Sequence, residues 1–280
     1  MQIIVAKKAG FCFGVKRAID MAFDLAKDTK EGVYTLGPLI HNPQVIEKLR
    51  VQGVTPIENI NSANNIKALI IRTHGVAPNI YEETMKKGFK VIDATCPFVK
   101  KAQRYAQTLK EEGYQVLILG DKKHPEVQAL LGFAGDNVII VNGDEPIPPL
   151  SNRVGIIVQT TQPIETMKKV VCDVIDLAKE VKVYNTICDS TTLRLKETKE
   201  LAEAVDLMVV VGGKNSSNTT QLTNLSKKIC PKVYHIETAD ELKDEWFKDK
   251  KKVGITGGAS TPQWLIDDVV EKLKEISFER

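Results

Sequence analysis

Residues 91–109 read VIDATCPFVKKAQRYAQTL, a short β-branched run that is followed by Cys96, Pro97 and a helical pattern. After Pro97 the apolar residues fall at helical spacing, so the sequence predicts that a strand passes into a helix at Cys96. Ligands of open α/β sheets bind where strands end. Cys96 therefore stands at a position that suits a functional site.

The same strand, cysteine and helix occur in two other stretches. MQIIVAKKAGFCFGVKRAIDMAFDLA begins the chain and contains Cys12, and VKVYNTICDSTTLRLKETKELA contains Cys188. From residue 12 to 96 is 84 residues, and from 96 to 188 is 92. A period of this length predicts one structural unit that is used three times.

The segments after each cysteine also match. A strand that ends in glycine follows each cysteine, at Gly37, Gly120 and Gly212. Four residues later come His41, His124 and Ser216. A second strand in each copy runs into a polar loop, which contains His74, Thr160 or Ser260. We therefore expect an α/β fold of three similar lobes with mainly parallel sheets, as a pseudo-threefold trefoil around a central cluster.

The repeat also predicts the lobe boundaries. Lobe 1 would span residues 13–96, lobe 2 residues 97–188 and lobe 3 residues 189–280. The third copy lacks the strand that precedes a cysteine in the other two, and the unassigned strand is residues 3–6. Because folds tend to cover an unpaired strand edge, we expect segment 1–12 to complete lobe 3 beside the strands near 207–211 and 253–256.

Composition and charge limit the function classes. The chain has 280 residues, of which 39 are basic and 36 acidic, giving a net charge of +3. No basic stripe is interleaved with aromatic residues, which argues against nucleic acid. No apolar run approaches the ~18 residues of a membrane helix, and the N-terminus lacks a signal-peptide pattern. We therefore expect a cytoplasmic protein without a membrane partner.

Two further cysteines and one charged run are predicted to have no role in a functional site. Cys172 lies among apolar neighbours in VVCDVIDLA and is expected to be a core thiol. Cys230 marks a helix end and is interpreted in the same way. Residues 243–252, KDEWFKDKKK, are expected to form a solvated surface segment.

The three repeated cysteines predict a metal centre. In a reducing compartment, cysteines at strand ends are more often metal ligands or catalytic thiols than disulfides. Three thiolates can hold zinc with a fourth ligand, or three irons of a 4Fe-4S cluster whose fourth iron is open. Structural zinc sites usually take cysteines a few residues apart, so the long spacing favours the cluster.

Polar residues at equivalent strand ends predict a diphosphate site. Their imidazole, hydroxyl and amide groups can bind phosphate oxygens through many short hydrogen bonds. The predicted substrate-binding residues are His41, His74, His124, Ser216, Ser217, Asn218 and Ser260. Glu126 is the one carboxyl among them, and beside Thr160 it would be a proton donor whose pKa is raised by burial near other anions.

The chain resembles the 4-hydroxy-3-methylbut-2-enyl diphosphate reductase family of the non-mevalonate isoprenoid pathway. The resemblance covers essentially the whole chain, through GFCFGVKRAI, GPLIHNPQV, RTHGV, ATCPFV, HPEV, QTT, NTIC, KNSSNT and GAS. It implies cluster ligation by Cys12, Cys96 and Cys188, diphosphate contacts from the seven polar residues, and Glu126 and Thr160 near the substrate hydroxyl. The chain departs from the family pattern in QALLG after Val127 and at Leu195.

The resemblance implies reductive removal of the allylic hydroxyl, which yields isopentenyl and dimethylallyl diphosphates. Because no flavin or nicotinamide fingerprint occurs, the electrons are expected from an external ferredoxin or flavodoxin. Two other classes stay open on the residues alone. A non-catalytic iron–sulfur redox sensor would need the cysteines but not the polar residues, and a zinc-dependent hydrolase of a phosphorylated small molecule would need no electrons.

Overall fold

The computed structural model describes residues 1–29, 32–62 and 65–278, so the last two residues of predicted lobe 3 lie outside it. The first strand, β1, is Gln2–Val5. The described residues form three four-stranded sheets in which every pair of neighbouring strands is parallel. Helices alternate with the strands along the chain. The predicted α/β class with three similar lobes is confirmed.

One sheet comes from the first third of the chain. Its elements are α1 (Phe13–Asp28), β2 (Val33–Leu36), α2 (Pro43–Val51), β3 (Val54–Ile57), β4 (Ala68–Ile71), α3 (Pro78–Lys86) and β5 (Lys90–Asp93). The strand order is β3-β2-β4-β5. All four residues of β4 are buried, as expected for an inner parallel strand that is covered on both faces.

A second sheet repeats this plan. Its elements are α4 (Pro97–Glu111), β6 (Gln115–Leu119), α5 (Pro125–Ala134), β7 (Val138–Val141), β8 (Arg153–Val158), α6 (Ile164–Ile175) and β9 (Glu180–Val183). The strand order is β7-β6-β8-β9, which corresponds to that of the first sheet. The inner strand β6, QVLIL, is buried along its whole length.

The third sheet combines the two ends of the chain. Its further elements are α7 (Asp189–Ala204), β10 (Leu207–Val211), α8 (Ser217–Lys227), β11 (Val233–Ile236), β12 (Lys252–Gly257) and α9 (Gln263–Phe278). The strand order is β1-β12-β10-β11, with Ile3 opposite Val253. The expected pairing of the N-terminal strand with the third sheet is confirmed. This pairing covers the edge of β12 that would otherwise be open.

The chain divides into two compact units. One unit contains Met1–Val15, Ile40–Val45 and Asp189–Arg280, and therefore the third sheet. The other contains Lys16–Leu39 and Ile46–Cys188, and therefore the first two sheets. The lobe boundaries at 96 and 188 remain a prediction.

The expectation for residues 243–252 was wrong at the aromatic pair inside the run. Residues Asp244–Phe247 form a 3₁₀ turn in which Phe247 is fully buried in the core of the third sheet. The Trp246 ring stacks on Tyr234 with 3.8 Å between the ring centroids. The turn directs the aromatic rings inward, and this burial outweighs the charge of the surrounding residues.

The expectation for Cys172 was also wrong, because its side chain is exposed. On α6 the buried positions are Val170 and Val174, one helical turn apart. Cys172 lies midway between them, about 200° around the helix from Val170, and so faces away from the core. Cys230 is buried, as predicted.

No helix among the described residues is both long enough and apolar enough to span a membrane.

Candidate functional site

Each of the three repeated cysteines immediately precedes a helix. Cys12 is followed by α1, Cys96 by α4 and Cys188 by α7, and all three are partly exposed. The predicted strand-to-helix position is thus confirmed for each. Each thiol therefore lies directly before the first turn of a helix.

The backbone of each cysteine is held by the same hydrogen bond. The amide donates to the carbonyl oxygen of the second residue after an inner strand of the same sheet. The pairs are Cys12 with Ala259 at 3.1 Å, Cys96 with Thr73 at 3.0 Å and Cys188 with Thr160 at 3.0 Å. The three cysteines therefore occupy equivalent positions in three copies of one local structure.

Glu126 and Thr160 form a buried pair. Glu126 is 2% exposed, and the Thr160 amide donates to its Oε1 at 2.7 Å while Thr160 Oγ1 donates to Oε2 at 2.8 Å. Burial raises the pKa of Glu126 to about 7, against an opposing effect of the two hydrogen bonds. The cause is desolvation, and the neighbouring anions that the sequence analysis expected do not contribute among the described residues.

His124 caps the helix that carries Glu126. Its Nδ1 accepts a hydrogen bond from the Glu126 amide at 3.2 Å, and Pro125 occupies the first turn. In the neutral ring the proton is then on Nε2, which can donate to a ligand. The His74 ring meets the His124 ring edge to face, with 5.3 Å between centroids. The structure therefore brings together His74, His124, Glu126 and Thr160.

The loop that carries His74 is tightly packed. Thr73 Oγ1 donates to the Leu39 carbonyl at 2.9 Å. Gly75 has φ of +71°, and a Cβ at this position would lie 2.4 Å from Nε2 of Gln103. The positive φ favours glycine whatever the space, because L side chains rarely adopt this conformation, so the residue after His74 is determined by backbone conformation.

A second group of predicted residues lies in the unit that contains the third sheet. Ser216 caps α8, and its Oγ accepts from the Thr219 amide at 3.4 Å. Ser260 Oγ donates to the His41 carbonyl at 3.1 Å and lies 3.4 Å from Ser216 Oγ. Ser217 is the first residue of α8. The structure therefore groups His41, Ser216, Ser217 and Ser260 near a helix N-terminus.

Asn218 joins this group to the backbone beside Cys12. Its side chain is 4% exposed, and Oδ1 accepts from the Ala259 amide at 2.9 Å. The same Ala259 accepts from the Cys12 amide. In the described part of the chain, Asn218 Nδ2 has no hydrogen-bond partner. Because an unsatisfied buried donor is costly, this atom indicates an acceptor on a ligand.

Asn42 is a buried polar residue of this group that sequence reasoning did not select. Its Oδ1 accepts from the Val45 amide at 3.0 Å, and Nδ2 has no partner within the described ranges. The signal was present, since asparagine before Pro43 is a helix-capping pattern beside His41.

The two groups offer complementary chemistry. His74, His124, Glu126 and Thr160 provide a buried acid whose pKa is near neutral. His41, Ser216, Ser217, Asn218 and Ser260 provide hydroxyl, imidazole and amide groups at the start of an 11-residue helix, which suits an anionic phosphate. Three cysteines at helix N-termini suit iron or zinc.

Burial of Glu126 should make folding stability depend on pH. The pKa is about 7 in the folded chain against 4.5 as the ordinary value, so the folded state binds more protons between these pH values. This contribution is present below pH 4.5 and is lost as the pH rises through 7. We expect the wild type to lose about 3 kcal/mol more unfolding free energy than Glu126→Gln between pH 4 and pH 8. Denaturant unfolding of both proteins measures this difference, and parallel pH profiles would contradict it.

Known proteins are similar to this chain over nearly its whole length. The family model described as LytB protein matches residues 3–274. A relative from Geobacter sp. (strain M21), named 4-hydroxy-3-methylbut-2-enyl diphosphate reductase, is 46% identical over 282 residues, covering 100% of this chain and 99% of the relative. A relative of the same name from Pelobacter propionicus is 47% identical, with 99% of both chains covered.

Two solved structures are also similar. One, described as (E)-4-hydroxy-3-methyl-but-2-enyl diphosphate reductase, the terminal enzyme of the non-mevalonate pathway, is 47% identical with a TM-score of 0.73, covering 98% of this chain and 100% of that one. The other, E-1-hydroxy-2-methyl-but-2-enyl-4-diphosphate reductase from Plasmodium falciparum, is 29% identical with a TM-score of 0.91, covering 98% and 88%. The chain belongs to the LytB protein family.

Proposed function

We propose that this chain removes the allylic hydroxyl of 4-hydroxy-3-methylbut-2-enyl diphosphate as water, giving isopentenyl and dimethylallyl diphosphates. The reaction consumes two electrons and two protons. The observation that carries the proposal is the buried Glu126, held by Thr160 and with a pKa of about 7, in a chain of this family. A carboxyl with this pKa can carry a proton at neutral pH and give it to a leaving oxygen.

Cys12, Cys96 and Cys188 would hold one 4Fe-4S cluster per chain. The three cysteines occupy equivalent positions, and a helix begins directly after each of them. This arrangement fits thiolate ligands. A cluster whose fourth iron has no protein ligand supplies electrons and a Lewis acid for an oxygen of the substrate. Cys172 and Cys230 take no part, since one lies on an exposed helix face and the other lies in a hydrophobic core.

The diphosphate would be bound by the predicted polar residues. Ser216, Ser217 and Asn218 begin α8, where helix amides attract anions. The unsatisfied Nδ2 of Asn218 is suited to donate to a phosphate oxygen. The remaining proposed contacts come from His41, His74, His124 and Ser260.

Glu126 would donate the proton, and Thr160 would orient the Glu126 carboxyl group. Thr160 holds both carboxyl oxygens through its amide and hydroxyl, which fixes the plane of the carboxyl group. Glu126 would give its proton to the departing hydroxyl oxygen, so that this oxygen leaves as water. The surrounding burial keeps a substantial fraction of the carboxyl protonated near pH 7.

The electrons would come from outside the chain. An external ferredoxin or flavodoxin is the proposed donor, because the sequence contains neither a flavin nor a nicotinamide fingerprint. A cytoplasmic location is part of the same proposal.

Turnover by protein purified without oxygen tests the function. We expect bound iron and acid-labile sulfide, and formation of both C5 diphosphates when a reduced donor and the hydroxyl substrate are added. Asn218→Asp should raise KM at least about tenfold, because it keeps the acceptor for Ala259 but replaces the phosphate-facing donor with a negative charge. Iron without turnover would favour a redox sensor, and zinc with phosphate release would favour a hydrolase.

A further inference from the structure

The helix that follows one cysteine also contacts the backbone that leads into another cysteine. Glu197 on α7, nine residues after Cys188, accepts two backbone hydrogen bonds. They come from the Lys7 and Lys8 amides, each at 2.7 Å. Lys8 lies four residues before Cys12, so one carboxylate binds the backbone segment that leads to that cysteine.

Arg194, one turn earlier on α7, binds the same segment through its carbonyl group. It is 3% exposed and donates to the Lys8 carbonyl and, at 3.0 Å, to the Gly257 carbonyl. Gly257 ends β12, two residues before Ala259, whose carbonyl accepts from the Cys12 amide. The buried guanidinium therefore links the two backbone segments that meet at Cys12.

Arg17 on α1 makes the corresponding contact before Cys96. Its Nη1 donates to the Thr95 carbonyl at 3.1 Å, and Nη2 donates to the Asp93 carbonyl at 3.3 Å. Arg17 comes five residues after Cys12, and Arg194 comes six residues after Cys188. Two copies of the repeat thus place an arginine in the second turn of the helix, where it binds backbone carbonyls ahead of a different cysteine.

The remaining copy uses aromatic packing. Tyr105 on α4, nine residues after Cys96, stacks on Tyr184 with 3.9 Å between the ring centroids. Tyr184 lies four residues before Cys188, the same offset that Lys8 has from Cys12. Tyr105 and Glu197 thus lie at the same distance after their cysteines, although one stacks on an aromatic ring and the other accepts hydrogen bonds.

We propose that Arg194 and Glu197 are positioning residues for Cys12, and that Arg17 is the positioning residue for Cys96. They act by restricting the backbone from which each thiolate reaches the metal, because charged hydrogen bonds to backbone groups are stronger than neutral ones. Groups that orient metal ligands usually affect metal retention strongly. The consequence for the metal rests on the proposed function, whereas the effect on the backbone does not.

Hydrogen exchange at single amides of the iron-loaded, full-length chain tests this proposal. The readouts are the Cys12 and Cys96 amides, whose acceptors, Ala259 and Thr73, are unchanged in all variants. Glu197→Ala should speed exchange at Cys12 about tenfold and leave Cys96 unchanged, because it removes a charged acceptor near Cys12 only. Arg17→Met should produce the reverse pattern. Both variants should release iron to a chelator about tenfold faster than the wild type.

Glu200→Ala is the matched control, since Glu200 is an exposed acid on the same helix. It should match the wild type in both measurements. Glu197→Gln, which keeps one acceptor oxygen, should fall between the wild type and Glu197→Ala.

Several outcomes would overturn the proposal. Equal changes at both amides in either variant would indicate general destabilisation, and no change at either amide would show that the contacts restrict nothing. Suppose that Glu197→Ala speeds exchange only at Cys12 and Arg17→Met only at Cys96, which is the crossed pattern. Unchanged iron release in both variants would then refute the proposed effect on metal retention. If the wild type binds no iron, the proposed function fails; exchange is then measured on the iron-free chain, where unchanged exchange at Cys12 in Glu197→Ala and at Cys96 in Arg17→Met would overturn the backbone restriction as well.

Discussion

Glu126→Gln is expected to turn over the hydroxyl substrate at least ~100-fold more slowly than the wild type while it keeps iron and substrate binding. Glutamine has nearly the same shape, so its carbonyl oxygen can still accept one hydrogen bond from Thr160. It cannot supply the proton that the leaving oxygen needs. Steady-state turnover, iron content and KM measured on the same preparation separate these effects.

Glu165→Gln is the matched control for this change. Glu165 is also an acidic residue in the first turn of a helix, but its side chain is exposed and pairs with Lys168. If Glu126 were merely a helix-end acid that interacts with the helix dipole, the two variants would behave alike. Near-normal turnover in both would contradict the assignment of Glu126 as proton donor.

Replacing Cys12, Cys96 or Cys188 by serine should abolish iron binding and, with it, turnover. Each thiolate is proposed to hold one iron, and a serine hydroxyl stays protonated at neutral pH and is a poor iron ligand. Iron and sulfide analysis, together with the electron paramagnetic resonance signal of the reduced protein, measures the loss.

The two other cysteines provide the controls. Cys172→Ser alters an exposed helix position. Cys230→Ser replaces the thiol with a hydroxyl that can donate to the Lys232 carbonyl, which the thiol contacts at 3.4 Å. Both variants should keep iron and turnover. Iron loss in Cys172→Ser, or iron retention in Cys96→Ser, would overturn the ligand assignment.

The departures from the family pattern leave these residues in place. Gly132 is the glycine of QALLG, and a Cβ at this position would lie only 2.5 Å from the Ala77 side chain. This glycine therefore permits close packing of α5 against Ala77. Leu195 is partly exposed on α7. The Gly132 contact involves neither a proposed ligand nor the proton donor.

Sequence reasoning failed where local pattern and burial disagree. The charges of residues 243–252 indicated a surface segment, yet Phe247 is fully buried. The apolar neighbours of Cys172 indicated burial, yet that residue is on the outer helix face. The edge strands β3, β7 and β11 were also not predicted.

The sequence by itself determined the α/β class, the strand-to-helix position of Cys12, Cys96 and Cys188, and the pairing of β1 with the third sheet. These features follow from periodicity and from a repeat, and both are patterns along the chain. Only the tertiary structure decided that desolvation, and not neighbouring anions, raises the pKa of Glu126, and that Arg194 binds the Lys8 carbonyl, 186 residues away in sequence. The physical reason is that desolvation and hydrogen bonding depend on neighbours that folding brings together, and no local pattern specifies those neighbours.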